Sequence, residues 1–125
     1  MFRLAALLLL AAACSDAPSQ PAATDPSPVL LGQWQIIGVD GNVPARGRDG
    51  RPPVLTFDEN GYGGYAGCNG FGGQGLEHEG RFYGGFAMST LMACGPPLDG
   101  QETAVQRLLG SAPRVEWHDA GRVAL

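Results

Sequence analysis

Apolar and polar residues begin to alternate at residue 33 and continue to 39. Trp34 and Ile36 share one face, and the turn Asp40-Gly41-Asn42 follows. Period-two alternation bounded by turn residues predicts a half-buried strand. Val54-Leu55-Thr56-Phe57 predicts a second, running into Asp58-Glu59-Asn60-Gly61, where glycine supplies the positive φ that closes a hairpin. Residues 62–68 read as the return strand, diluted by glycine. Phe82, Phe86 and Met88 keep even spacing through Gly84, so residues 81–88 form another strand with those three on one face. The short run 75–78 pairs with it across Glu79-Gly80.

One segment changes period. After Pro96-Pro97, Asp99 stands where a helix cap belongs, and Glu102 three residues on completes a capping-box spacing. Val105, Leu108 and Leu109 then form an i, i+3, i+4 stripe, which predicts a helix with one face docked on the sheet. Gly110 and Pro113 end it. Val115 and Trp117 restart a strand, and Asp119-Ala120-Gly121 turns it toward Val123-Ala124-Leu125. Strands, helix, strands predicts an α+β domain: a small antiparallel β meander with one docked helix near the C-terminus.

The first 28 residues follow neither period. Met1-Phe2-Arg3 carries one positive charge, and residues 4–13 are ten apolar residues in a row. That run falls well short of the roughly 20 needed to span a bilayer and reads as an export signal. It ends in Ala11-Ala12-Ala13-Cys14, which resembles a bacterial lipobox, with Cys14 lipidated to become the mature N-terminus. The rival is an ordinary signal peptide cut after Ala13. Residues 15–28 hold four prolines and almost nothing to bury, so an extended, semi-rigid tether is expected. The expected organisation is therefore signal peptide 1–13, lipidated cysteine and tether 14–28, and domain 29–125. Such an anchor holds a soluble domain at a membrane without crossing it. The expected location is the bacterial envelope, facing the periplasm; Ser15 after the cysteine favours the outer membrane by the enteric sorting rule.

Composition narrows the function classes. Of 125 residues 20 are glycine and 10 proline, which suits a turn-rich β domain. All eight basic residues are arginine, against 12 acids. Beyond Pro28 seven arginines meet ten acids, a net charge of −3 without a basic block. Nucleic acid is therefore not an expected partner.

Several of these pieces together resemble the META domain (HslJ-like) family of bacterial envelope proteins. They are Trp34, Leu55-Thr56-Phe57 before a glycine turn, Gly67-Cys68-Asn69-Gly70-Phe71, the run from Met88 through Thr90 and Met92 to Cys94, and Glu102 opening the helix. The resemblance spans residues 31–125. It implies a non-catalytic, commonly lipid-anchored envelope protein linked to stress tolerance, with no set cofactor and an envelope protein or small ligand as partner. Family members usually continue with another strand beyond the position of Leu125. The domain is thus expected either to lack a last strand, leaving a sheet edge open, or to belong to a longer chain.

Candidate sites are few. Cys68 and Cys94 are an even pair in an oxidising compartment, where a structural disulfide is the usual outcome; two buried free thiols, or redox or metal chemistry, are the alternatives. Met88, Met92 and Cys94 offer soft ligands for copper(I), though core packing is the simpler role. Glu77-His78-Glu79 alternate between strand faces and do not converge on one ion; His118 reads as an exposed strand residue. Gly70-Phe71-Gly72-Gly73-Gln74-Gly75 matches G-x-G-x-x-G in letters, but a strand rather than a helix is expected after it. No G-x-S-x-G elbow presents a serine. A binding face is expected among Tyr62, Tyr65, Asn69 and Phe71 on a mobile glycine-rich loop. The alternatives to surface binding in stress tolerance or envelope integrity are a periplasmic hydrolase inhibitor and a metal-binding envelope protein.

Overall fold

Strand β1 (Gly32–Gln35) opens the chain described by the computed structural model, which covers residues 29–125. The expected signal peptide, Cys14 and the tether lie outside the described residues. Strands β2 (Val54–Phe57), β3 (Gly61–Tyr65), β4 (Gly70–His78) and β5 (Arg81–Ser89) follow. All five pair antiparallel in sequence order, a pure meander. Helix α1 (Leu98–Leu109) comes next, then β6 (Glu116–Asp119) and β7 (Arg122–Ala124), which form a two-stranded ribbon. Among the described residues the architecture is α+β with one helix near the C-terminus. Sheet and ribbon are stitched together where Phe82 N–H donates to Pro113 O and Val115 N–H to Gly80 O.

The core lies between sheet, helix and ribbon. Leu55, Phe57, Tyr62, Phe71 and Phe82 enter it from the sheet, and Val105 and Leu109 from the helix. Phe82 is the hub: Phe57 and Tyr62 meet its ring edge-to-face at 5.0 and 5.4 Å. Such pairs add to the burial of large apolar area. Trp34 of β1 and Trp117 of β6 meet at 5.6 Å and tie the ribbon to the far edge of the sheet.

Four sequence expectations need correction. The opening strand stops at Gln35 rather than 39; Val39 and Asn42 instead bridge each other across a tight turn, with Asp40 and Gly41 both at positive φ. The glycine-rich stretch is not a loop, because β3 and β4 run through most of it as paired strands. Glycine is needed there for proximity: a Cβ on Gly75 would stand 2.7 Å from the Phe82 ring, and one on Gly84 2.6 Å from Leu109 O.

The third correction concerns β5. Gly73 faces Ala87 and Gly75 faces Gly84, so Gln74 alone opposes Gly85 and Phe86 together. This β-bulge shifts the alternation by one residue. Phe82 and Ala87 therefore point to the core, whereas Phe86 and Met88 point out. The freed carbonyl of Gly85 accepts a hydrogen bond from the Tyr62 hydroxyl at 2.9 Å.

The fourth is the helix start. Pro97 is the N-cap and brings no side-chain bond. Asp99 instead accepts from the N–H groups of Cys94 and Gly95, both at 2.9 Å, and so fixes the segment before the helix. Glu102 does not reach back; it is buried with Leu98, Val105 and Leu109 on the inner face, while Leu108 of the expected stripe is exposed.

Candidate functional site

Chemistry-bearing side chains gather where the β3–β4 connection, residues 90–95 and the start of α1 meet. Cys68 and Cys94 are bonded there, with Cα atoms 5.8 Å apart. Asn69, next in sequence, is buried and uses its backbone N–H and both polar atoms of its side chain. Its backbone N–H and Nδ2 donate to the two oxygens of Glu102, at 2.6 and 2.8 Å. Nδ2 also donates to Met92 O at 3.0 Å, while Oδ1 accepts from Met92 N–H and Thr90 Oγ1 at 2.8 and 2.9 Å. A short amide thereby does for residues 90–92 what a strand ladder would do, through part-buried bonds, while its two bonds to Glu102 are buried and costly to leave unmade.

A second cluster sits on residues 45–51. Gln101 of α1 holds this loop by accepting from Ala45 N–H and donating to Ala45 O and Ala66 O. Arg48 Nη2 donates to Cys94 O at 2.7 Å, which brings the loop against the disulfide. Arg51 pairs with Asp49 and lies over the Tyr65 ring, 4.4 Å from its centroid. The Arg51 backbone N–H and then its guanidinium hold the Asp49 carboxyl below the usual range. Arg51 is raised in turn, chiefly by its bond to Asp49. Burial, then the bond to Asp49, pushes the Tyr65 phenol up. These are exposed groups whose pairing contributes little to stability.

The expected binding face has a different setting. Tyr62, Asn69 and Phe71 are buried, and Tyr65 alone is partly exposed. The physical reason is the strand pairing, which turns Tyr62 and Phe71 toward the core. Met88 and Met92 are exposed rather than packed. Glu77, His78 and Glu79 are solvent-facing at a hairpin tip, with His78 Nε2 3.6 Å from Glu79. His118 is exposed in β6, and the G-x-G-x-x-G letters lie within β4. Cys68 Sγ, Cys94 Sγ and an Asp99 oxygen lie within 4.8 Å of one another. The sulfurs are joined and Asp99 is committed to backbone N–H groups, so this trio works as a clasp. Sequence reading missed Arg48 and the burial of Glu102, since both depend on contacts tens of residues apart.

Two concavities complete the surface. One, about 400 Å³, has Leu30, Phe57, Leu76 and Phe82 below and Asp58, Glu59, Glu77 and Glu79 around it. The other, about 770 Å³, runs between β1 and β7 beneath the helix, with Trp34, Ile36, Val105, Val123 and Leu125 in its walls.

These features define a disulfide-closed meander whose helix is latched to the sheet by a buried Asn–Glu contact. The META domain family model matches residues 27–125, and the chain belongs to that family. A protein from Burkholderia xenovorans, solved by NMR, is similar in fold: 23% identity, a TM-score of 0.50, 84% of this chain and 86% of that one covered. No curated protein matches the chain.

Proposed function

We propose that this META-domain chain is an exported, lipid-anchored and non-catalytic envelope protein that works by binding through its surface, in stress tolerance or envelope integrity. The observation that carries the reading is the Cys68–Cys94 bond. Disulfides of this kind persist in oxidising compartments and are rare in the cytosol. The apolar run 4–13 and the lipobox-like Ala11-Ala12-Ala13-Cys14 supply the matching export route. The strongest local arrangements, Asn69 with Glu102 and Arg51 with Asp49, hold backbone and loops in place rather than aim a nucleophile at a cleft.

The test is processing. In an expressing bacterium treated with globomycin, the unprocessed precursor should accumulate, and mass spectrometry of the untreated mature chain should place a diacylglyceryl group on Cys14. Normal maturation under the drug, with an unmodified N-terminus, would overturn the anchor. Recovery from the cytosol with Cys68 and Cys94 both alkylatable would overturn export.

A further inference from the structure

The outer side of β5 leaves large apolar side chains in water. Phe86 is 91% exposed, Met88 77%, Leu91 96% and Met92 60%. They succeed one another along the second half of the strand and into the segment after it. This ridge is held firmly: the bulge turns Phe86 and Met88 outward, and Asn69 grips Met92 through both of its main-chain groups. Exposed apolar clusters of this kind mark interaction sites.

Charge is distributed around the ridge in a definite order. No acidic or basic residue occurs between Arg81 and Asp99. At the margin stands Arg48, bonded to Cys94 O, with Arg46 and Arg51 on the same loop beside its one acid, Asp49, and with Asp99 held on the N–H groups of Cys94 and Gly95. The acids Asp58, Glu59, Glu77 and Glu79 gather instead around the hairpin tips. Arg81 and Met88 lie at opposite ends of β5, about 23 Å apart at strand rise, with Glu79 in the turn just before Arg81. One end of the molecule thus carries four acids beside Arg81 and Arg114, and the other is apolar with three arginines against Asp49 and Asp99 at its border. That second end complements a phospholipid bilayer, where hydrocarbon lies beneath a layer of phosphate.

We infer that the ridge seats the domain on the bilayer, with Phe86, Leu91 and Met92 entering the boundary between headgroups and acyl chains and Arg48 meeting lipid phosphate. The inference rests on the lipid-anchor reading for how the domain is delivered. The 14 residues 15–28 reach at most about 50 Å, so the anchor alone permits any orientation and the ridge selects one. The acidic end then faces away from the negative potential of anionic lipids.

The test uses the mature chain in phosphatidylcholine vesicles, with acylation of Cys14 checked by mass spectrometry so that anchor and ridge are judged apart. In Phe86→Trp, the emission added over that of Trp34 and Trp117 should shift to the blue and be largely lost when the lipids carry bromine near the glycerol end. Adding Leu91→Asp should restore much of it. A water-like, unquenched signal from acylated, vesicle-bound protein would overturn the inference. A blue shift that bromine leaves untouched, together with a doubled mass in detergent, would assign the ridge to a second copy and overturn it equally. If no acyl group is found, the anchor reading fails alone. The same signal is then read on protein added to vesicles from solution, where bromine quenching supports the ridge and its absence overturns it.

Discussion

Tyr62 shows how one hydroxyl can matter in a chain of this size. Its ring is buried against Phe82, and its O–H donates to Gly85 O at 2.9 Å. Burial pushes the phenol above its ordinary value of 10.0. The folded chain therefore keeps this proton where the unfolded chain has lost it. Stability tied to the neutral phenol is fully present below about pH 10 and drains away as pH rises through the higher folded value. Tyr62→Phe should cost about 0.5–1.5 kcal/mol near neutrality by removing the hydrogen bond. It should also lessen the alkaline decline, with Tyr65, raised in the same direction, left as a contributor. Urea titrations of both chains at neutral and alkaline pH provide the check; an unaltered alkaline slope in Tyr62→Phe would refute the assignment. At this scale the sequence is hard to read. Asn69 and Glu102 meet across 33 positions, and Glu102 carries a spacing that fits a capping box just as well.

Among the elements, legibility follows the range of the forces involved. Turns are visible in the sequence because they depend on residues next to one another: Glu79 and Gly80 both adopt positive φ between β4 and β5, where the glycine predicts a turn. The helix is visible because Val105 and Leu109 keep its period. The β5 bulge is not, because it is a property of two strands, and even spacing from Phe82 to Phe86 gives no sign of it. The glycines of β3 and β4 mislead for a related reason, since flexibility in the unfolded chain becomes close approach once the sheet forms. Gly84 tests this. A Cβ there would meet the backbone oxygen of Leu109, which has little freedom to yield. Gly84→Ala should therefore destabilise by about 1–3 kcal/mol, in the range of other overpacked sites, and lower the thermal midpoint. A neutral effect would mean that helix and β5 are not in the contact described.

For the whole molecule, the disulfide closes a loop that contains β4, β5 and the ridge. Cys68 and Cys94 stand 26 positions apart, and removing that closure should cost about 3–4 kcal/mol on the chain-entropy account. Replacing both cysteines by alanine, or reducing the native chain, should shift the urea midpoint by the corresponding amount. A shift near zero would show that Asn69 and Glu102 hold the segment without help. The fold class can be read in advance from strand and helix periods and from the family motif. What the surface does cannot, because it depends on which side of β5 faces water. That choice is made at the bulge, where Gln74 of β4 faces two residues of β5. The carbonyl of Gly85 is held from inside by Tyr62, and Phe86 follows it into solvent. A hidden phenol and a wet benzyl group thus meet at one irregularity of the strand, and deleting that extra residue would exchange the faces of everything after it.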